Sequence, residues 1–216
     1  MSPRTVVVLV SSFPFAINWS QEHVPAILQM AHASQDEGTA IARVLFGSYN
    51  PAGRLVETWP KSLDQLPPMM DYDIRHGRTY MYFQGEPLYP FGFGLSYTTF
   101  KLTNLTTSPP SLPGDGAVTV KVDVSNTGSR AGDEVVQIYA RHLSSKVDRP
   151  RLQLVGFQRV TLQPGETKAV EIPVKASRLA YWNTQLKRLE VEAEQVSLMA
   201  GDSSANLPLH TTIEVK

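Results

Sequence analysis

The segment that decides the fold is RTYMYFQGEPLYPFGFGLSYTTF, residues 78–100, where the character of the chain changes. Its second half is rich in phenylalanine, tyrosine and glycine. The aromatic rings bury large areas, and the glycines let two backbones approach closely. Before this aromatic segment, apolar residues recur at helical spacing; after it, they alternate at strand spacing. We therefore expect a packed connection between two structural units.

The first unit is predicted to be a piece of an α/β layer. The five apolar residues Val6–Val10, rich in β-branched side chains, favour a strand buried on both faces of a parallel sheet. Ser20 is predicted to cap a helix whose apolar stripe is Ile27, Met30 and Ala31. A strand followed by a helix is typical of α/β folds.

A second helix is predicted to begin near Ser34, where Ser-Gln-Asp-Glu matches a capping box. Gly47 is its expected stop. Its apolar stripe comprises Ala40, Ile41, Val44 and Leu45. The following proline-rich residues 50–73 favour an extended coil, with a short edge strand over 55–59.

The second unit is predicted to be an all-β sandwich of the immunoglobulin or fibronectin type. Alternate valines, from Val118 to Val124, mark one strand, and the turn signal Asn126-Thr127-Gly128 follows it. Short strands separated by turn signals are typical of such sandwiches. The further predicted strands cover residues 134–140, 152–161, 169–174, 191–199 and 209–215.

Composition excludes several classes of function. The 216 residues carry 20 acidic and 20 basic side chains spread along the chain, which argues against a basic surface for nucleic acid or an anionic membrane. No apolar run approaches 18 residues, and cysteine is absent, which excludes disulfides and thiolate metal sites. The first residues lack the pattern of a signal peptide. We expect a soluble protein of the periplasm, the extracellular space or the cytoplasm.

Several motifs carry a family resemblance. NPAGRLVETWP at 50–60, PLYPFGFGLSYTTF at 87–100, GDEVVQIYA at 132–140 and VDRPRLQLVGFQRVTLQPGE at 147–166 resemble the C-terminal part of glycoside hydrolase family 3. These enzymes are exo-acting β-glucosidases and β-xylosidases. The resemblance implies that residues 1–97 are the end of an α/β sandwich domain and that residues 98–216 are a fibronectin type III-like domain.

The resemblance also implies where the chemistry lies. Family members retain anomeric configuration with an Asp nucleophile on an N-terminal barrel and a Glu acid/base upstream of the strand at Val6–Val10. By this resemblance the 216 residues hold no catalytic residue and are predicted to be inactive alone. The alternatives are a complete enzyme with an unrecognised site and a stand-alone carbohydrate-binding or protein-interaction module. SLDQLPPMMDYDI at 62–74, followed by GRTYMYFQGEPLYPFGFGLSYT at 77–98, resembles the β-xylosidase and arabinofuranosidase branch more than the β-glucosidase branch.

The candidate substrate-binding residues are Asp73, Arg75, His76 and Arg78, a charged cluster in the coil before the aromatic segment. Carboxylates and arginine suit the hydroxyl groups of sugars. The opposing interpretation is a solvated turn whose surface ion pairs contribute little. The five histidines never fall at metal-ligand spacing, so neither a metal nor a cofactor is predicted.

One strand and two amphipathic helices cannot cover their own apolar surface. We therefore expect a partner: either the N-terminal barrel part of the enzyme, or a second copy through the exposed α/β face. An oligosaccharide is expected to bind only in the full enzyme.

Overall fold

The computed structural model describes residues 2–32 and 34–216, and they form two compact units. The first unit comprises Met1–Asn50 and Leu55–Phe91. The second comprises Pro51–Arg54 and Gly92–Lys216. The chain therefore leaves the first unit for four residues, returns to it, and leaves again inside the aromatic segment.

The first unit is built on a parallel pair of strands. Strand β1 (Val6–Val10) pairs in parallel with β2 (Ala26–Met30), and Val6 lies opposite Ala26. The helices are α1 (Asn18–His23), α2 (Glu37–Leu45) and α3 (Thr79–Tyr82), with short 3-10 turns at Ser34–Asp36 and Leu63–Gln65. The predicted first strand is present, but it is only half-buried, because the sheet has two strands within the described residues.

The helix predicted from Ser20 through Ala31 is wrong beyond His23. Helix α1 ends there, and the supposed helical stripe residues Ile27 and Met30 lie on β2. Pro25 explains the error, because the residue before a proline is disfavoured in the helical region. Val24 accordingly has φ −102° and ψ 129°. The short apolar run after Pro25 fits a strand as well as a helix.

Helix α2 begins later than predicted, at Glu37, and its N-cap residue is Asp36, which makes no side-chain capping bond. The side chain of Ser34, the predicted cap, lies outside the described part of the chain. Gly47 ends the helix as predicted: it has φ 73°, and its N–H donates to the Val44 carbonyl at 2.9 Å. Leu45 is exposed, so the predicted stripe is not buried by these residues.

Trp59 is the buried centre of the first unit. Its indole makes edge contacts with Phe15 and Tyr89, with ring centroids 6.5 and 5.8 Å away. The edge strand predicted over 55–59 is reduced to one antiparallel bridge, in which the Trp59 N–H donates to the Tyr89 carbonyl at 2.9 Å. None of the helices among the described residues is long and apolar enough to cross a membrane.

The second unit is a β-sandwich. One sheet has three strands in the order β3-β5-β8, formed by Phe100–Ser108, Ala117–Asn126 and Thr167–Lys175. The other has five strands in the order β4-β12-β11-β6-β7. These five are β4 (Ser111–Leu112), β6 (Gly132–His142), β7 (Gln153–Leu162), β11 (Gln195–Gly201) and β12 (Leu209–Val215).

The alternating valines of β5 are the core of this sandwich. Val118, Val120, Val122 and Val124 are fully buried, while Lys121 between them is exposed. Apolar residues of the facing sheet, such as Ile138 and Leu198, complete the cluster. The prediction of a sandwich is thereby confirmed.

The strand predicted over 191–199 begins too early, since β11 starts at Gln195. The preceding residues instead follow a separate hairpin of β9 (Tyr181–Asn183) and β10 (Arg188–Glu190), which the sequence did not indicate. Lys187, with φ 51°, lies in its turn.

The glycines of the aromatic segment fit close backbone approach. Gly92 has φ 83°, and a Cβ there would lie 2.1 Å from Gln137 Oε1. A Cβ on Gly94 would lie 2.3 Å from the Gly53 carbonyl oxygen. Residues 51–54 and 92–94, about 40 positions apart in sequence, therefore meet inside the second unit.

Candidate functional site

The predicted substrate-binding residues lie in a tight loop of the first unit, residues 71–78. The carboxylate of Asp71 accepts a hydrogen bond from the backbone N–H of Asp73 at 3.1 Å, and Asp73 accepts one from the N–H of Arg75 at 3.0 Å. The N–H of His76 donates to the Asp73 carbonyl at 3.1 Å. Aspartates favour such turns because their side chains bond to the backbone two residues on.

One ion pair and one histidine–carboxylate hydrogen bond lie across this loop. The Arg75 guanidinium donates hydrogen bonds to the Asp73 carboxylate through Nε and Nη2. Nε lies 2.8 and 3.0 Å from the two carboxylate oxygens. His76 Nδ1 is hydrogen-bonded to Asp71 Oδ2 at 2.7 Å. The side chains of Arg75 and His76 are mostly exposed, so they form the outer surface of the loop.

Arg78 makes different contacts from Arg75 and His76. Its Nε donates to the Asp71 carbonyl at 2.7 Å and its Nη2 to the Pro68 carbonyl at 2.8 Å. These bonds hold the guanidinium against the backbone of its own loop and of the segment just before it. The structure thus brings the four predicted residues together with Asp71, in two layers: Arg78 beneath, and Arg75 and His76 outside.

The electrostatics of the loop make its two carboxyl groups poor proton donors. The Arg75 side chain, and then its backbone N–H, hold the pKa of Asp73 far below its usual range. The hydrogen bond from His76 lowers the pKa of Asp71 in the same way. A general acid in glycoside hydrolysis needs a raised pKa. These two carboxylates are ionised at neutral pH and can only accept hydrogen bonds.

A buried ion pair in the second unit was not foreseen from the sequence. Arg54 Nη2 donates to Glu134 Oε1 at 2.8 Å, with 9% of the arginine and 5% of the glutamate side chain exposed. Arg54 Nη1 also donates to the Gly53 carbonyl at 3.2 Å. The pair fastens the motif NPAGR to β6 of the sandwich.

A second buried polar cluster lies at the end of β6. His142 Nδ1 and Glu194 Oε1 are 2.6 Å apart, and both side chains are buried. Arg149 Nη2 lies 3.6 Å from Glu194 Oε1 and 3.7 Å from Glu192 Oε2. Burial raises the pKa of Glu192, but hydrogen bonds, first that from Ser145 Oγ, outweigh it and lower the pKa. Among residues 2–32 and 34–216, no three His, Asp or Glu side chains could hold a metal ion.

Comparison with known proteins identifies the class of chain that has this fold. The Glycosyl hydrolase family 3 C-terminal domain matches residues 1–97, and the Fibronectin type III-like domain matches residues 134–204. The chain belongs to glycoside hydrolase family 3, and it corresponds to the C-terminal part of the family's β-glucosidases and β-xylosidases.

Particular relatives include both activities. The chain is 39% identical over 214 residues to the periplasmic beta-glucosidase of Salmonella typhimurium, covering 94% of this chain and 28% of that protein. It is 39% identical over 203 residues to a beta-xylosidase of Formosa agariphila, covering 92% of this chain and 28% of that protein. The chain therefore spans a little over a quarter of the length of these curated relatives.

A solved structure gives the same result. The beta-glucosidase from Kluyveromyces marxianus in complex with glucose superposes with a TM-score of 0.89 at 35% identity. The match covers the whole of this chain and 27% of that one.

Proposed function

We propose that this chain is the C-terminal part of a retaining exo-β-glycosidase that releases terminal β-linked xylose or glucose, with xylose preferred. The observation that carries the proposal is the ordered match of both domains to family 3. Relatives named as a glucosidase and a xylosidase match with equal identity, which supports both sugars as candidates. The preference for xylose rests on the resemblance of residues 62–74 and 77–98 to the β-xylosidase branch. A periplasmic or extracellular location is supported by the name of the Salmonella relative.

The proposal divides the chemistry between two parts of the enzyme. An N-terminal barrel part supplies the nucleophile, and the acid/base glutamate also lies outside these 216 residues. The loop 71–78 contacts sugar hydroxyls through Arg75 and His76, which face solvent. Asp71 and Asp73 orient these two side chains, and Arg78 holds the loop backbone.

The partner of the first unit is the barrel part in this proposal. Its support is the set of large apolar side chains that the first unit leaves exposed, because exposed apolar surface marks interaction sites when it is contiguous. The most exposed of these side chains are Phe46, Val56, Leu63, Met69, Met70 and Tyr72. Self-association through the same surface is the competing outcome.

Co-expression with a barrel part tests the proposal. The N-terminal part of the Formosa agariphila beta-xylosidase would be produced alone, with this chain, and with an Arg75→Ala/His76→Ala variant. We expect no hydrolysis of aryl β-xylosides by this chain alone, because it has neither member of the catalytic pair, and turnover when both parts are present.

The double variant should lose about tenfold or more in kcat/KM, as expected when a hydrogen-bonding contact to substrate is removed. Lys101→Ala, an exposed change on β3, serves as the matched control. Comparing aryl β-xyloside, β-glucoside and α-arabinofuranoside decides the sugar. If the two parts neither associate nor gain activity, and the chain binds oligosaccharide in a way that Arg75→Ala/His76→Ala abolishes, the stand-alone binding module replaces this proposal.

A further inference from the structure

The hairpin of β9 and β10 has its apolar and polar faces reversed. Trp182 and Leu189 lie directly opposite each other in the register, and they are 57% and 66% exposed. Tyr181, Asn183 and Glu190, on the other face, are half-buried. Strands on a protein surface normally turn apolar side chains inward. A local reversal of this kind is expected at functional sites, where stability is not the only requirement.

The inward face is held by satisfied polar contacts. The Glu190 carboxylate accepts hydrogen bonds from Asn183 Nδ2 at 2.7 Å, Arg188 Nη2 at 2.8 Å and the Tyr181 hydroxyl at 3.3 Å. The Arg149 guanidinium lies over the Tyr181 ring, 4.7 Å from its centroid. The buried cluster at the end of β6 therefore also anchors the hairpin. Trp182 therefore lies on the solvent-facing side of a hairpin whose other side is held by hydrogen bonds and by the contact with Arg149.

The surface around Trp182 favours an uncharged ligand. Arg188 and Glu190 neutralise each other in an ion pair of 2.8 Å. Beside Leu189 lies an open depression of about 360 Å³, lined by Gly114, Arg188, Leu189, Glu190 and Val191. This volume lies within the usual range for small-ligand sites, about 300–1,000 Å³.

The size of the apolar patch argues against a protein partner. Trp182, Leu189 and the neighbouring Leu186 together offer roughly 300 Å² of exposed apolar surface, given the area that one large side chain can bury. A stable protein interface buries about 800 Å² on each side, a little over half of it apolar, so this patch is smaller than the apolar part of such an interface. A flat indole bordered by neutral polar groups instead matches a pyranose ring, which has apolar C–H faces and a rim of hydroxyl groups.

We propose that the face formed by Trp182 and Leu189 binds pyranose rings of an uncharged polysaccharide. The indole stacks on one ring face, and the exposed Leu189 side chain opposite it extends the apolar surface under a neighbouring ring. The site lies on the fibronectin type III-like unit and does not require the chain to take part in hydrolysis.

Affinity electrophoresis of the 216-residue chain in native gels containing arabinoxylan or soluble mixed-linkage β-glucan tests this site. We expect retardation of the unchanged chain by at least one polymer. Trp182→Ala should weaken the apparent binding about tenfold or more, and Leu189→Ser should weaken it less. Trp19→Ala is the matched control, because Trp19 is 59% exposed on the first unit. Thermal melts check that each variant is folded.

Retardation that is equal in Trp182→Ala and the unchanged chain would overturn the inference, as would the lack of retardation by either polymer. Dimers seen by light scattering and abolished by Trp182→Ala would also overturn it, in favour of a contact between two copies. Hydrolysis by the reconstituted enzyme is measured separately, so failure of this site and failure of the proposed function give different results.

Discussion

Replacing Arg54 by methionine should be among the most damaging single changes in the second unit. The substitution removes the counterion of Glu134, whose side chain is 5% exposed and then keeps only the N–H of Val135, at 2.8 Å, as a donor. Removing one partner of a buried ion pair costs about 3–5 kcal/mol, because the other charge stays buried without compensation. For a chain of this size, each kcal/mol lowers the Tm by about 2–4 °C. The expected fall is therefore roughly 6–20 °C.

Differential scanning calorimetry at neutral pH measures this effect. The matched control is Lys61→Met, which breaks an ion pair of the same length, 2.8 Å, with Glu86, but one whose side chains are 40% and 85% exposed. Exposed pairs contribute at most about 1 kcal/mol, so the control should shift the Tm only slightly. Adding Glu134→Gln to Arg54→Met should restore part of the loss by removing the buried charge. If the Arg54 variant melts within 2 °C of the control, roughly the spread between surface variants, the burial argument is refuted.

Three further outcomes can be checked. In an NMR titration, Arg75→Ala should raise the pKa of Asp73 towards its ordinary range. The contact between Arg75 and Asp73 is fully formed above the ordinary carboxyl pKa and is lost as the pH falls through the lowered pKa of Asp73. An unchanged pKa of Asp73 in the variant would contradict this prediction. A fragment of residues 98–216 should melt cooperatively, because it contains every strand of the sandwich. Its Tm should be lower than that of the full chain, because the fragment lacks Arg54, and an equal or higher Tm would show that Arg54 is dispensable. The isolated chain should bind the dye ANS and self-associate in light scattering, and Phe46→Ser should reduce both; a clean monomer without dye binding would show that the first unit covers its own apolar surface.

Local patterns predicted most of the sandwich. Val118 to Val124 alternate at a period of two, and this period is imposed directly by the geometry of a strand. The same logic failed at residues 26–30, where an apolar run too short to show its period was assigned to a helix. The signal that could have corrected it was Pro25, which excludes a helix continuing through Val24.

The loop 71–78 could be predicted as a cluster because its members are close in sequence. Its internal division could not, since only the fold shows that Arg78 binds backbone carbonyls while Arg75 and His76 face outward. The spacing of residues along the chain cannot predict contacts between residues that are far apart in the sequence. Arg54 and Glu134 are 80 residues apart, and His142 and Glu194 are 52 apart. The exposure of Trp182 has no local signal either, because the residues before it, Leu179 to Tyr181, are apolar as in a core strand.

The excursion of Pro51–Arg54 into the second unit has a consequence for inheritance. Genes exchange domains by joining contiguous stretches, and a stretch that starts in the aromatic segment omits these four residues. Such a transplant would carry Glu134 and Gly94 without the arginine and the carbonyl that they meet. Selection against such destabilised transplants keeps the fibronectin-like module joined to the sequence that precedes it. The two units are therefore expected to pass through recombination together.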